Sequence, residues 1–193
     1  MKIQSLDYNE DIIGNKTVVA AIGIAFFVLA TALGAYVRIP VHGSPVPITL
    51  QTFFVLLSGA VLGKRLGSFS QAAYFILGIS GLPIFQGAGF GAAYLAGPTT
   101  GYLIGFIAAS YSIGRIIDIR PFDAKWVAAS FAIGSLIIYA FGAAWLVYLY
   151  KISFSKAISI GILPFIPGDI IKILLATVIY SRISQRSKNI FSI

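Results

Sequence analysis

Residues 17–36 have the sequence TVVAAIGIAFFVLATALGAY, twenty consecutive positions without a charged side chain. At about 1.5 Å of rise per residue, a helix of this length spans about 30 Å, which is the thickness of the hydrocarbon core of a bilayer. The segment ends where Arg38, Pro40 and Gly43 begin a loop that is rich in proline. It therefore predicts a membrane-spanning helix.

The whole chain has the composition of an integral membrane protein. Of its 193 residues, 58% are hydrophobic and only 10% are charged, whereas soluble domains carry about 25% charged residues. At about 20 apolar residues for each crossing, this length allows about six transmembrane helices with short connections. We expect an all-α fold in which residues 1–193 form a single transmembrane substrate-binding domain.

Five further helices are predicted from the remaining apolar runs. Lys64 and Arg65 form a short basic turn between two short helices. Pro164 and Pro167 fall in the opening turn of the last helix, where proline is well tolerated. The expected ranges of these helices are 48–62, 66–80, 101–117, 125–150 and 161–181.

Residues 81–100 are uncharged and apolar but too rich in glycine to form a regular helix. Backbone groups that lack hydrogen bonds are costly in hydrocarbon, so such a segment must pack against the protein or line a cavity. We predict that this glycine-rich outer loop, between helices 3 and 4, is a binding loop or lid.

Lysine and arginine residues are distributed unequally between the two ends of the six predicted helices. Three of them, Arg38, Lys151 and Lys156, fall on one side and ten on the other. Positively charged loops resist translocation, so the richer side, with both termini, is predicted to be cytoplasmic. Residues 1–16 then form a cytoplasmic tail, and topology accounts for the net charge of +8 without nucleic-acid binding. The ten are Lys2, Lys16, Lys64, Arg65, Arg115, Arg120, Lys125, Arg182, Arg186 and Lys188.

Catalytic and metal chemistry find little support in the sequence. It contains no cysteine and a single histidine, His42, so disulfides, thiolate metal sites and cysteine nucleophiles are excluded. No Ser/His/Asp set and no carboxylate pair is available for catalysis. We expect that the chain is not an enzyme and that it uses no cofactor and no metal.

Asp169 and Lys172 stand out because they lie inside a predicted membrane helix. Their i, i+3 spacing places both side chains on one helix face. Ionisable groups in membrane helices are costly and commonly mark substrate or ion pathways, so we interpret the pair as part of a polar-ligand site. Two alternatives stay open: a self-neutralising structural ion pair at a helix start, and a proton-coupled small-molecule carrier in which Asp169 titrates beside Lys172.

Four sequence strings occur in order along most of the chain: 43–52 (GSPVPITLQT), 81–85 (GLPIF), 97–106 (GPTTGYLIGF) and 164–172 (PFIPGDIIK). Together they resemble the BioY family, the biotin-specific substrate-binding (S) components of energy-coupling factor (ECF) transporters. The resemblance implies a six-helix protein of a prokaryotic plasma membrane that binds biotin with high affinity near the outer face. Because the chain has no ATP-binding motif, uptake would require a separate transmembrane T subunit and ATPase subunits.

The resemblance also implies that Asp169 and Lys172 lie at biotin, the transported ligand. From the chemistry of biotin, we hypothesise that Asp169 accepts a ureido N–H and that Lys172 meets a ligand oxygen. Gln86 stands where the family usually has a small residue or asparagine, and its amide could both donate to and accept from the ureido ring. Thr100 replaces a glycine of the family pattern. The loop residues expected to close over the ligand are Phe85, Gly87, Gly89, Gly91 and Tyr94.

The first helix has a face of small residues, Ala21, Ala25, Ala30 and Gly34. Small residues at this spacing let membrane helices approach closely, so the face packs either on neighbours in this chain or on a partner subunit. The resemblance implies that the partner is the T subunit. The pairs Gly59 and Gly63, and Gly101 and Gly105, follow the same pattern, which we interpret as internal packing.

Overall fold

The structure is a computed structural model that describes residues 16–191, and it is all-α apart from one short β-hairpin. The two-residue strands β1 (Arg38–Ile39) and β2 (Ile48–Thr49) pair antiparallel between the first two helices. The predicted cytoplasmic tail lies, except for Lys16, outside the described residues. The α-helices are α1 (Lys16–Tyr36), α2 (Gln51–Ile79), α3 (Thr100–Ile117), α4 (Ala124–Tyr150), α5 (Phe154–Gly161) and α6 (Ile166–Phe191).

Five helical segments of residues 16–191 are long and apolar enough to cross a membrane. They are α1, α2, α3, α4 and the stretch Phe154–Phe191, which joins α5, one 3-10 turn (Leu163–Phe165) and α6. The predicted class, an all-α multi-pass membrane protein, is therefore confirmed.

α2 reverses direction at Gly63, which has φ 78° and ψ 177°, a conformation that favours glycine. Gln51 Nε2 donates to Tyr74 OH over 2.8 Å, although residues 51 and 74 of a straight helix would lie about 35 Å apart. α2 is thus a helical hairpin with two antiparallel arms, 51–62 and 64–79. This agrees with the predicted break between helices at the Lys64 and Arg65 turn.

The end of the chain differs from the prediction. The last helix was expected over 161–181, but α6 begins at Ile166 and extends to Phe191. α5, which was not predicted, precedes it and is capped by Ser153, whose hydroxyl accepts from the Lys156 N–H over 3.3 Å. Pro164 lies in the 3-10 turn between the two helices, because a proline cannot continue the hydrogen bonding of α5.

The helices pack closely around α2, which contacts α1, α3 and α6, while α4 contacts α3, α5 and α6. A Cβ at Gly59 would lie 2.4 Å from the Ser110 carbonyl oxygen, and one at Gly101 would lie 2.5 Å from that of Phe141. Only glycine allows these backbones to approach so closely. The interpretation as internal packing is confirmed for Gly59, Gly101 and Gly105, but it is wrong for Gly63, which has nothing within 4 Å of its Cβ position and forms the turn of α2.

A polar cluster crosses the interior of the bundle and is fully buried. Gln71 Nε2 donates to Ser58 Oγ over 3.1 Å, Ser58 Oγ lies 3.0 Å from Ser110 Oγ, and the Gln71 amide also lies within 3.4 Å of Thr31. These side chains join α1, both arms of α2 and α3. Because each polar group has a partner, the cluster fixes the packing of these elements.

Candidate functional site

Asp169 and Lys172 lie in the first turns of α6 and form a buried ion pair. Lys172 Nζ is 2.6 Å from Asp169 Oδ1, and only 5% of Asp169 and 8% of Lys172 is exposed. Thr52, at the start of α2, joins the pair: Lys172 Nζ donates to Thr52 Oγ1 over 2.9 Å, and Thr52 Oγ1 donates to Asp169 Oδ1 over 3.3 Å. The hydroxyl of Tyr139, from α4, donates to Asp169 Oδ2. Three helices therefore hold one charged pair.

The local sequence explains why the pair is placed here. Pro167 and Gly168 open α6, and Asp169 lies in its first turn, where the helix dipole stabilises a carboxylate. Lys172 follows one turn later on the same face. A buried charge is stable only when it is paired and hydrogen-bonded, and each member of this pair has at least two polar partners.

The pair lines a cavity of about 50 Å³ between α2, α3, α4, α6 and the hairpin that contains β2. Most of the wall is apolar, and Thr52 and Tyr139 line it together with the charged pair that they contact. Such a wall suits a small molecule that has one polar end and an apolar body. The apolar lining residues include Val46, Ile48, Leu103, Phe106, Ile138 and Phe165.

Gln86 and Pro47 separate this cavity from a second one, of about 550 Å³, because both residues line both spaces. Arg38, from β1, lines the second cavity and lies against Gly87: a Cβ at Gly87 would be 2.9 Å from Arg38 Nη1. None of the ion pairs between residues 16 and 191 involves Arg38. The second cavity thus has a guanidinium next to the partition.

The glycine-rich loop that carries Gln86 is held by hydrogen bonds with two helices, α2 and α4. Tyr74 OH donates to the Ile84 carbonyl over 2.9 Å, Gly91 N donates to the Gly78 carbonyl over 2.8 Å, and Trp145 Nε1 donates to the Gly97 carbonyl over 2.9 Å. These contacts satisfy backbone groups that would otherwise be costly in an apolar setting. The prediction that this segment packs against the protein and lines a cavity is confirmed.

Two aromatic residues anchor the middle of the same loop. Phe85 is completely buried and stacks on Tyr94, with 4.8 Å between the ring centroids. Burial raises the pKa of the Tyr94 phenol above its ordinary value. Its hydroxyl therefore stays protonated, and it accepts a hydrogen bond from Thr99 Oγ1 over 3.0 Å. Thr100 also holds the loop, because its hydroxyl donates to the Leu95 carbonyl over 2.9 Å.

The structure brings three of the predicted ligand-binding residues, Asp169, Lys172 and Gln86, onto the wall of one cavity. The others do not line it and instead build the loop that positions Gln86. Their expected closure over a ligand stays a prediction. These residues are Phe85, Gly87, Gly89, Gly91 and Tyr94.

Several residues at the site were missed in the sequence. Thr52 lies in one of the four quoted strings, so its position was marked but its role was not. Tyr139 is a tyrosine in an apolar helix, a pattern that is typical of ordinary packing. Arg38 was counted only for topology. Nothing in their local sequence indicates that they would meet the Asp169 pair or Gln86.

The small-residue face of α1 is divided. Ala21 and Ala25 are exposed, whereas Ala30 and Gly34 are buried. A Cβ at Gly34 would lie 3.0 Å from the Gln51 nitrogen, so this part of the face packs on the start of α2. The expectation of one partner interface that includes all four residues is therefore wrong, and only Ala21 and Ala25 are accessible to another subunit.

This fold and cavity define a multi-pass membrane protein with a buried ion pair on the wall of an internal cavity. The chain belongs to the BioY family, whose family model matches residues 9–189.

Named relatives and a solved structure agree with this assignment. The biotin transporter BioY of Thermotoga maritima is 42% identical over 159 residues, which cover 82% of this chain and 92% of that protein. The probable biotin transporter BioY of Pyrococcus horikoshii is 40% identical over 160 residues, with 83% and 93% covered. A crystal structure of the S-component for biotin from an ECF-type ABC transporter matches with a TM-score of 0.83 at 29% identity, covering 89% of this chain and 93% of that one. All three are transport proteins, which confirms that the chain is not an enzyme.

Proposed function

We propose that the chain is the membrane-embedded biotin-binding subunit of a vitamin uptake transporter. The observation that carries this proposal is the Asp169–Lys172 pair on the wall of an otherwise apolar cavity. A buried ion pair adds little stability by itself. A pair with only a structural role would also not require a cavity beside it. The relatives named as biotin transporters support the choice of ligand.

The chemistry of biotin matches the order of groups along the cavity. A ureido ring presents N–H donors beside a carbonyl acceptor, and Asp169 and Lys172 present an acceptor beside a donor, 2.6 Å apart. We therefore assign the ureido N–H to Asp169 and the ureido oxygen to Lys172. The bicycle then packs on the apolar wall that includes Phe106 and Ile138, and Gln86 contacts the ligand at the partition.

The valerate carboxylate extends from the bicycle away from the ureido ring. On the far side of Gln86 and Pro47, the second cavity offers Arg38, which makes no ion pair with a described carboxylate. A guanidinium binds a carboxylate through two parallel hydrogen bonds. We assign Arg38 to the carboxylate of biotin.

The proposed topology is six crossings with both termini in the cytoplasm of a prokaryotic cell. The reversal of α2 at Gly63 supports six crossings, since each arm is a separate helix. The excess of basic residues at one end supports the orientation. Uptake is proposed to require an ECF T subunit and ATPase subunits, and the exposed Ala21 and Ala25 of α1 are the proposed contact with the T subunit.

Equilibrium binding of labelled biotin to the detergent-purified protein tests the proposal, with other vitamins as competitors. We expect tight binding that excess unlabelled biotin abolishes and other vitamins leave unchanged. If another vitamin displaced biotin at equal concentration, that vitamin would become the assigned ligand. The absence of biotin binding by a protein that unfolds cooperatively on heating would reject the function.

A further inference from the structure

A second site candidate lies at the opposite end of the α2 arms from Thr52. Where α2 reverses at Gly63, a groove of about 700 Å³ opens between this turn, the end of α3 and the end of α6. Gly63 is eleven residues from Thr52, or about 16 Å along a helix, so the groove is separate from the Asp169 cavity. We call it the basic groove and define it by Lys64, Arg65, Phe69, Asp118, Lys188 and Phe191.

The described part of the basic groove has more basic than acidic side chains. Lys64 Nζ lies 3.9 Å from Asp118 Oδ2, and Lys188 Nζ lies 2.5 Å from Asp118 Oδ1, so two ammonium groups converge on one carboxylate. Arg65 is exposed and makes no ion pair with a residue in the described range. Among residues 16–191, Lys64 and Arg65 thus have at most a share of one carboxylate, Asp118, so this part of the groove carries an excess of positive charge, which favours an anionic ligand.

The other part of the basic groove is apolar. Its lining includes Leu66 and Phe69 of the second α2 arm, and 62% of the Phe69 side chain is exposed. This arm belongs to a segment that is apolar enough to cross a membrane, so Phe69 faces lipid. A free inorganic anion gains nothing from such a wall, whereas a phospholipid fits both parts.

We propose that the basic groove binds the phosphate-bearing headgroup of an anionic phospholipid, with an acyl chain along Leu66 and Phe69. Lys64, Arg65 and Lys188 contact the headgroup, and Asp118 holds Lys64 and Lys188 in position. Asp118 also competes with the lipid for both ammonium groups. Basic pockets between membrane helices are suited to such headgroups, and each lysine or arginine near an anionic lipid surface strengthens binding about fivefold.

Native mass spectrometry of the delipidated full-length protein tests this proposal, with dioleoyl phosphatidylglycerol and dioleoyl phosphatidylcholine as probes. We expect preferential retention of phosphatidylglycerol, a loss of about fivefold in R65Q and a larger loss in K64Q/R65Q. D118N is expected to retain more phosphatidylglycerol than the parent, because the competing carboxylate is removed. The matched control is K151Q/K156Q, whose two lysines lie at the opposite membrane face, and it should bind as the parent does.

Equal retention of both lipids, or unchanged retention in R65Q and K64Q/R65Q, would overturn the proposal. Displacement of phosphatidylglycerol by millimolar inorganic phosphate would make the groove a free-phosphate site instead. A D7N/E10Q/D11N variant tests whether the acidic N-terminal segment is the occupant, and phosphatidylglycerol selectivity that is absent from the parent and occurs only in this variant would also overturn the proposal. Thermal unfolding of each variant checks its fold. Because neither lipid retention nor unfolding is measured with biotin, the result is independent of the proposed function.

Discussion

Replacement of Lys172 by methionine separates a ligand-binding pair from a structural one. Methionine keeps most of the length and apolar stem of lysine but removes the ammonium group, which lies 2.6 Å from Asp169 Oδ1 and 2.9 Å from Thr52 Oγ1. If Lys172 donates to the ureido oxygen, the variant loses one hydrogen bond from a charged group, worth about 1.5–3 kcal/mol. Biotin affinity should therefore fall by about 10- to 150-fold.

The same substitution should lower stability, because it leaves the Asp169 carboxylate buried with only Thr52 and Tyr139 as partners. Removal of one member of a buried pair costs about 3–5 kcal/mol, whereas replacement of both members by neutral groups of similar size is often close to neutral. The double variant D169N/K172M should therefore recover much of the thermal stability that K172M loses.

In the double variant, we expect thermal stability to recover while biotin affinity stays low. Equilibrium binding of labelled biotin and thermal unfolding in the same detergent give the two readouts, and K156M, at an exposed position, is the control. We expect that D169N/K172M is stable but does not regain biotin affinity. If it binds biotin as the parent does, the pair is structural only and the assigned contacts are wrong.

Three further predictions concern Arg38 in the second cavity, the glycine-rich loop and the packing of α5. R38Q should weaken binding of biotin but not of biotin amide, because only the free acid offers a carboxylate to the guanidinium; equal losses for both ligands would exclude the assigned contact. G87A should lower the affinity of biotin severalfold, since Gly87 has φ +72° and a Cβ would lie 2.9 Å from Arg38 Nη1. G81A is the control for backbone strain, because Gly81 has φ +111° and open space around its Cβ position. If both variants lower the affinity equally, the contact between residue 87 and Arg38 is not the cause. Y102F should reduce the free energy of unfolding by about 1 kcal/mol, because the buried Tyr102 hydroxyl donates to the Gly161 carbonyl over 2.7 Å; unchanged unfolding in both heat and denaturant would show that this bond does not hold α5.

The sequence predicted the membrane-spanning elements because their signal is local. Twenty consecutive apolar residues form a helix in a bilayer regardless of their neighbours, since only a helix satisfies all backbone groups within a single segment. The reversal of α2 was visible for a similar reason: Lys64 and Arg65 cannot lie inside hydrocarbon at low cost, so the chain must reach the membrane surface there. Gly63 then supplies the backbone conformation for the turn.

Elements whose formation depends on tertiary packing were harder to predict. α5 has only eight residues, too few to form a stable helix alone, and it exists because it packs against α4. The β1–β2 pair has two residues in each strand and no alternation to detect. Both elements are too short for their local sequence to predict them, and each forms through its contact with a neighbouring element.

The candidate site shows the same division. Asp169 and Lys172 were found because charges in a membrane helix are expensive and rare. Their partners Thr52 and Tyr139 lie 117 and 30 residues from Asp169, and neither residue type is unusual in a membrane helix. A single sequence contains the ionisable members of such a site but not the neutral groups that hold them.

The net charge of the Asp169–Lys172 pair determines which ligand groups it can accept. Asp169 and Lys172 together carry no net charge, so an ionic headgroup at this end of the cavity would have to displace one partner and leave it buried and unpaired, which costs several kcal/mol. A ureido group can add an N–H to Asp169 and a carbonyl oxygen to Lys172 while the pair stays intact, because each charged atom has remaining hydrogen-bonding capacity. We infer that the end of the cavity lined by Asp169 and Lys172 selects for a neutral group with a donor and an acceptor side by side. A charged ligand group is tolerated only near Arg38. A biotin analogue whose ureido oxygen is replaced by a protonated imine should therefore bind much more weakly than biotin in the same assay, and equal affinity would contradict this assignment of the two ends.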